Sequence, residues 1–314
     1  MKIALVCSHG GHLTEMLYIM DALGFKGHDI FFITYDSDRT RVLEYRKYLF
    51  KNFGEKKVEL LKSIPNILNL MIKERPDIII SNGAEIAIPF FYLGKFLRAK
   101  TVFIECYTRI DEPTITGKLV YPVSNKFLVL WPEMLTKYGK KARYYGGLFT
   151  VSESKNIVQN EKENMIFVTV GMHFQGFDRL VKKMDEISSK TNMKVVMQIG
   201  NTQYKPKNAE YFDFKNYEEV KELMRRSKIV ICPGAMSAID SIVLGTPVII
   251  VPRSKEQNEV INDHQTIFAK KLEGMDLAKV VDNLDDLENI VLSYNLSGTK
   301  KIVTNNDLIE KIKI

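Results

Sequence analysis

The sequence predicts an α/β protein of two domains, each built on a doubly wound parallel sheet. Three observations carry this expectation. Short, largely apolar and β-branched runs (Lys2–Cys7, Asn164–Val170, Ile229–Cys232, Val248–Val251) read as strands buried on both faces. They alternate with segments of helical spacing, the order expected of successive βα units. A chain of 314 residues is long enough for two full cores, and the polar stretch Leu148–Glu163, rich in Ser, Asn, Lys and Glu, divides two such series. The expected boundaries are a first domain at 1–147, a linker at 148–163, a second domain at 164–300 and a C-terminal tail helix at 301–314.

In chain order, Lys2–Cys7 is the first strand. Ser8-His9-Gly10-Gly11-His12 opens a helix over Leu13–Leu23. This is not the dinucleotide spacing Gly-x-Gly-x-x-Gly. A Gly-Gly-His turn does place free N–H groups and an imidazole at the carboxyl edge of a parallel sheet, where ligands bind. His12 is either such a functional group or a plain helix-start residue. Asp29–Tyr35 is the second strand. Asp36-Ser37-Asp38 after it has the form of a metal-binding Asp-x-Asp, and reads here as a polar turn capping the next helix. The basic and aromatic segment Arg39–Lys57 is either a solvated face or a membrane-surface patch. Asp77–Ser81 is a strand, Ala84–Leu97 a helix and Thr101–Glu105 another strand. Glu105 and Arg109, four residues apart, form either a structural ion pair or part of a reactive site.

The second half opens with Asn164–Val170 and the turn Gly171-Met172-His173-Phe174-Gln175. Met193–Ile199 and Tyr211–Phe214 are further strands, and Tyr217–Arg226 is a helix. Ile229–Cys232 then leads through Pro233-Gly234 into a helix over Ala235–Leu244, closed by Gly245. The small residues Gly234, Ala235 and Ser237 let the amides of a helix N-terminus, Met236 among them, approach an anion closely. Asp240 lies one turn beyond Ser237, within reach of a ribose attached to a bound diphosphate. After Val248–Val251, Arg253 and Asn262-Asp263-His264-Gln265 supply groups suited to a sugar. Asp285–Ser293 is the last helix of the domain. The stretch as a whole reads as a nucleotide-sugar site.

Composition bounds the partners. Residues 1–150 hold 22 Lys/Arg against 15 Asp/Glu, so the whole formal charge of +7 lies in the first half. That points this half at an anionic surface, phospholipid or diphosphate, and no nucleic-acid-binding motif is present. Cys7, Cys106 and Cys232 are far apart and lack Cys-x-x-Cys spacing, which predicts reduced thiols in a cytoplasmic protein. The N-terminus enters a strand with no signal-peptide pattern, and the longest apolar region, Ile86–Leu97, is too short to span a bilayer and carries Lys95.

Two sets of residues carry a resemblance. The turn Cys232–Ser237, Asp240 and Asn262–Gln265 are similar to the donor-binding region of GT-B glycosyltransferases, above all the catalytic subunit of the two-part transferase that builds dolichyl-diphosphate chitobiose and its bacterial capsule and exopolysaccharide relatives. In that family the turn is His-x-Gly-x-Gly-Ser, the acid is Glu and the cluster is Asn-Glu-His-Gln, so Cys232 and Asp240 depart from it. The opening Ser8–His12, Glu105, Arg109, Gly117-Lys118-Leu119-Val120-Tyr121-Pro122 and Trp131-Pro132-Glu133 resemble the acceptor-side, membrane-anchoring subunit, without its N-terminal anchor. The resemblance implies a fusion of the two halves, with the GT-B arrangement of two Rossmann-like domains facing across a cleft. It implies transfer from a UDP-sugar to a polyprenyl-diphosphate-linked sugar acceptor at the cytoplasmic face of the membrane, in cell-surface polysaccharide synthesis. Inversion without a metal or other cofactor is expected. Gly171, His173, Gly234, Ala235, Met236, Ser237, Asp240, Arg253, Asn262, His264 and Gln265 would hold the donor; Gly10, Gly11 and Arg109 the acceptor; and His12 or Glu105 would be the base, His12 being favoured. The alternatives are a UDP-sugar 2-epimerase of similar twin-domain fold and a non-catalytic UDP-sugar-binding protein.

Overall fold

A computed structural model describes residues 1–25, 27–53, 57–152, 162–172, 175–257, 259–260, 264–293 and 300–305. The chain divides into two compact units, Met1–Thr150 with Thr304–Ile314, and Val151–Val303. In the described residues of the first unit, the strands are β1 (Lys2–Val6), β2 (Asp29–Tyr35), β3 (Arg46–Phe50), β4 (Ile78–Ser81), β5 (Lys100–Ile104), β6 (Lys126–Val129) and β7 (Ala142–Tyr144). They form one parallel sheet in the order β3-β2-β1-β4-β5-β6-β7. Ile3 sits between Ile30 on one side and Ile78 on the other, and the central strands are buried almost completely. This is why they read as unbroken apolar runs rather than alternating ones.

The helices of this unit are α1 (Gly11–Leu23), α2 (Asp38–Arg41), α3 (Lys57–Glu74), α4 (Ala87–Phe96), α5 (Ile115–Val120) and α6 (Leu135–Tyr138). Strand order reverses between β1 and β4, so the loops after these two strands diverge to opposite faces and leave a crevice at their carboxyl ends. Gly10, His12 and Gly83 lie there.

The linker and tail differ from expectation. Phe149–Ser152 is a strand, β8, and Leu148 and Phe149 are buried. The polar part of the linker, 153–161, lies outside the described residues. In the second unit, β9 (Glu163–Thr169), β10 (Lys194–Gln198), β11 (Glu210–Phe212), β12 (Ser227–Cys232), β13 (Val248–Ile250) and β14 (Lys279–Val280) form a parallel sheet in the order β11-β10-β9-β12-β13-β14. Its helices are α7 (Asp178–Ser188), α8 (Tyr217–Arg226), α9 (Ala235–Val243), α10 (His264–Gly274) and α11 (Leu287–Ser293). Lys301–Thr304, expected to begin a tail helix, is instead strand β15 paired with β8, and the Asn305 amide donates to Leu148 O at 2.9 Å. The alternation Ile302 buried, Val303 exposed suits a strand with one covered face. Residues 306–314 of the expected helix lie outside the described residues. The switch point of this second sheet falls between β9 and β12, at the turns containing Gly171 and Gly234.

Two segments show more structure than their sequence reading contained. Arg39–Phe50 is α2 followed by the edge strand β3. Its Arg41 pairs with Asp36 and Asp38, and Arg46 with Asp29 and Glu74, so the segment is a charge-paired edge, which is one way an edge strand is kept from pairing further. α3 was not expected from the sequence. Its Pro65 and its exposed Val58, Leu61 and Ile64 obscure an amphipathic pattern that buries Ile67, Leu70 and Met71.

Candidate functional site: two sheet switch points

In the first unit α1 begins with no side-chain cap: Gly10 is its N-cap and offers none. The first amides of the helix, at half-exposed to exposed Gly10–His12, are therefore not satisfied by a side chain. The carbonyl of Gly10 is taken by Leu13 and Thr14 N–H and by Arg39 Nη1 at 3.3 Å, which orients the turn and brings a guanidinium beside it. His12 is fixed from below. Asn82, at the end of β4, donates to its carbonyl at 2.8 Å. Gly83 has φ +126°, and a Cβ there would lie 2.9 Å from His12 Cε1, so only glycine leaves room for the ring. Nδ1 of His12 is buried without a hydrogen-bond partner, while the residue as a whole is partly exposed. Burial foremost, with Arg109 adding, lowers the imidazole pKa to about 4. The ring is neutral at physiological pH, as a base must be.

Glu105 is fully buried and its carboxylate is fully engaged. It accepts from the Cys106 amide at 2.9 Å, the Thr114 amide at 3.2 Å, the Thr114 hydroxyl and the Tyr138 hydroxyl. Thr114 in turn caps α5 through the Gly117 amide at 2.9 Å. A Cβ at Gly117 would meet Glu105 Oε2 at 2.7 Å, so the Gly-Lys-Leu sequence begins with glycine to admit this carboxylate. Burial raises the Glu105 pKa against the pull of those donors. The carboxylate ties β5 to the loop that leads into α5, and the Glu105–Arg109 ion pair that their spacing allows does not form. Arg109 is half-exposed and acts electrostatically on His12 instead. Trp131 completes the loop's support by donating to the Tyr107 carbonyl at 2.6 Å.

A further carboxylate, Glu15, was missed from the sequence. It is 0% exposed, three residues after His12 on α1. A His12 ring nitrogen, a Glu15 oxygen and Cys106 Sγ lie within 4.8 Å of one another. Its signal in the sequence was the i, i+3 spacing alone, which an exposed surface Glu would share. As for the Asp-x-Asp turn, Ser37 caps α2 with a full capping box and Arg41 holds both aspartates, the polar turn expected.

In the second unit α9 is likewise without a side-chain cap at Gly234, and Ala235 stands at φ +52°. A left-handed alanine is uncommon and marks a turn held by its surroundings. Ala235 and Ser237 are partly exposed, whereas the Met236 side chain is buried, so Met236 offers only its amide. Gly171, at φ +73°, faces this helix start: a Cβ there would lie 3.9 Å from Ser237 Oγ. Asp240 is buried one turn on and accepts from the Tyr217 hydroxyl at 2.9 Å. Cys232, where the resembled family carries His, is a buried thiol whose pKa burial pushes up to about 12.

Arg253 corrects its expected role. It is 1% exposed, and its guanidinium donates to the carbonyls of Val170, Gln175 and Gly176 while lying 4.6 Å over the Phe177 ring. Bound to three main-chain carbonyls, it braces the Gly171 loop, a structural duty that its sequence reading as a sugar contact did not include. Gln265, at the start of α10, keeps a buried Oε1 without a hydrogen-bond partner. His173 and Asn262 lie outside the described residues, as does the side chain of His264.

Two family models match these two halves separately. Residues 165–311 match the glycosyltransferase family 28 C-terminal domain, and residues 55–148 match the family described as oligosaccharide biosynthesis protein Alg14 like. UDP-N-acetylglucosamine transferase subunit ALG14 of Debaryomyces hansenii is 26% identical over 175 residues, covering 46% of this chain and 75% of the relative. The UDP-N-acetylglucosamine–N-acetylmuramyl-(pentapeptide) pyrophosphoryl-undecaprenol N-acetylglucosamine transferase of Clostridium tetani is 25% identical over 341 residues, covering 97% of this chain and 93% of the relative. Among solved structures, Acinetobacter baumannii MurG superposes with a TM-score of 0.61 at 16% identity, over 94% of this chain and 91% of MurG. The UDP-GlcNAc 2-epimerase of Methanocaldococcus jannaschii gives 0.68 at 14% identity, over 99% and 98%; at such identity the likeness is one of fold. The family matches and the fold thus define the class: the protein is a GT-B glycosyltransferase. In particular, it carries in one chain an Alg14-like half and a family 28 C-terminal half, the fusion expected from its motifs.

Proposed function

We propose that the chain transfers the sugar of a UDP-sugar, with UDP-GlcNAc the first donor to test, to a polyprenyl-diphosphate-linked saccharide in cell-surface polysaccharide synthesis. The donor is the one named in the relatives above, as is the lipid diphosphate acceptor of the Clostridium tetani enzyme. One observation carries the reading. Each sheet presents an uncapped helix N-terminus at its switch point, one beside a neutral imidazole and the other facing a glycine turn. Anions favour both ends, and the buried imidazole of His12 gives the first a base.

In the proposed reaction the diphosphate of the donor lies on the amides of Gly234–Ser237, with Gly171 opposite and Asp240 at the ribose. His12 takes the proton of the acceptor hydroxyl. The new bond forms at the anomeric carbon as the bond to the UDP oxygen breaks, with inversion. The leaving electron pair goes to the β-phosphate, where helix amides in place of a metal stabilise it. Gly10, Gly11 and Arg109 hold the acceptor diphosphate.

No helix of the described residues is long and apolar enough to cross a membrane. For attachment we propose the paired α4–α5 face. Tyr92, Phe96, Ile115 and Leu119 are exposed there, Phe96 at 80% and Ile115 at 78%. Tyr92 links the helices through the Leu119 carbonyl at 3.0 Å, and Lys95 and Lys118 flank them. Exposed apolar side chains with a lysine in the last turn of each helix suit the cytoplasmic surface of an anionic bilayer.

The test is product analysis with UDP-GlcNAc, with and without a synthetic polyprenyl-diphosphate-linked GlcNAc, in EDTA. Acceptor-dependent UDP release with a β-linked product is expected. The fold likeness favours one competing reading, epimerisation. Sugar isomerised without acceptor would establish it in place of transfer, and turnover abolished by EDTA and restored by Mg²⁺ or Mn²⁺ would overturn the metal-free mechanism.

A further inference from the structure

Glu15 has no duty in the mechanism as drawn so far, yet it is a carboxyl buried without a counter-ion. Helical spacing sets it on the same face of α1 as His12. One oxygen accepts the Tyr107 amide at 2.7 Å and the other the Cys106 thiol at 3.3 Å, both from the segment following β5. The titratable groups around it are Cys7 at the end of β1, Glu105, Cys106 and Tyr107 beyond β5, and His12 one turn back. Arg109 acts on His12 and Arg39 on Cys7. Two further polar atoms at this crevice, His12 Nδ1 and Asn82 Oδ1, are buried without hydrogen-bond partners. A neutral side chain would fill this place without the cost of desolvating a carboxyl. The position is therefore one where a charge is kept in reserve.

We propose that Glu15 is a positioning residue for His12: its carboxylate takes the inner Nδ1–H of the imidazole and stabilises the imidazolium formed when Nε2 accepts the proton of the acceptor hydroxyl. The inference rests on His12 being the base. Proton and charge balance within the step. The acceptor O–H bond breaks, the proton passes to Nε2, the His12–Glu15 pair becomes neutral overall, and the negative charge leaves on UDP. A carboxylate in this relation also fixes which ring nitrogen is protonated before reaction.

The arrangement sets the pH response. Burial foremost, with Glu105 adding and the Tyr107 amide and Cys106 thiol opposing, raises the Glu15 pKa to about 8, while His12 falls to about 4. The competent form, Glu15 ionised beside neutral His12, then grows in as Glu15 loses its proton. The rising limb of activity belongs to the carboxyl rather than to the imidazole.

The deciding experiment is a nuclear magnetic resonance titration of the histidine rings in the intact chain. His12 is assigned by its loss in His12→Gln, and the wild type is compared with Glu15→Gln and Glu15→Asp. In the wild type the His12 signals should move near pH 8 without the ring gaining charge. That step should vanish in Glu15→Gln and persist, displaced, in Glu15→Asp; the wild-type and Asp arms suffice should the Gln variant fail to fold. A His12 titration unaltered by Glu15→Gln overturns the proposal. Turnover gives a second readout, with UDP-GlcNAc and polyprenyl-diphosphate-linked GlcNAc. Glu15→Gln should lose about tenfold or more in kcat together with the rising limb, at unchanged UDP affinity. A loss of equal factor at every pH, limb retained, would reduce Glu15 to packing. Full kcat in His12→Gln would instead defeat the base assignment, whatever the ring titration shows.

Discussion

A methyl group at Gly83 would stand 2.9 Å from Cε1 and 3.4 Å from Nδ1 of His12. The loop after β4 is thus the floor on which the imidazole rests, and a backbone at φ +126° keeps that floor open. Gly83→Ala meets both the contact and the unfavourable φ, a cost of about 1–3 kcal/mol. The ring is expected to shift and kcat to fall about tenfold or more, since misplacement of a base is felt directly. Thermal melting and donor-saturated kcat check this together. Unchanged kcat in a folded variant would mean the ring is placed by other contacts.

Glu105 and His12 should separate cleanly by kinetics. His12→Ala is expected to lose about a hundredfold or more in kcat. Glu105→Gln keeps its shape but gives a donor where Thr114 and Tyr138 both point donors. Its cost should be mainly in stability, about 1–3 kcal/mol. Denaturant unfolding and kcat at saturating donor decide; a kcat loss in Glu105→Gln matching that of His12→Ala would return the base role to Glu105.

For the donor, Asp240→Ala should weaken UDP binding by about 1.5–3 kcal/mol, the worth of a hydrogen bond to a charged group. Tyr217→Phe removes one donor from the same carboxylate and should change affinity by less. Calorimetric UDP titration reads both. Wild-type affinity in Asp240→Ala would remove this residue from the site.

Stability should fall as pH rises through neutrality. His12 has its pKa depressed from 6.5 to about 4, so the folded state binds fewer protons than the unfolded one in that window. Glu15 has its pKa raised from 4.5 to about 8, so the folded state binds more. Between about 4.5 and 6.5 the two cancel, and from about 6.5 to 8 only Glu15 remains, making stability decline with pH by about 1–2 kcal/mol. Chemical unfolding at stepped pH should show that slope in the wild type and its loss in Glu15→Gln.

Liposome co-sedimentation tests the α4–α5 face. Binding should rise with anionic lipid and fall with salt, each basic residue near the surface contributing about 1 kcal/mol. Phe96→Glu combined with Ile115→Glu should abolish it. Equal binding of this variant would place attachment elsewhere.

The sequence by itself determined the fold and the position of its two turns. Buried parallel strands are apolar throughout, so IALV and VICP-type runs need no partner in view to be read, and Gly10-Gly11-His12 and Pro233-Gly234 mark the strand-to-helix junctions of any such sheet. The halves of the chain also carried their family signals locally. Only the tertiary structure decided what each side chain does there. Arg253 reads as a sugar contact in sequence, but the fold brings three main-chain carbonyls, those of Val170, Gln175 and Gly176, onto its guanidinium. Glu105 reads as a base or an Arg109 partner, but Thr114 and Tyr138 arrive from later in the chain and occupy it. Glu15 gave almost no signal, because a carboxyl at i+3 of a helix looks the same whether it faces water or is buried under Tyr107. Hydrogen bonds and desolvation depend on which segments meet across a sheet edge, a long-range property that spacing along the chain does not encode.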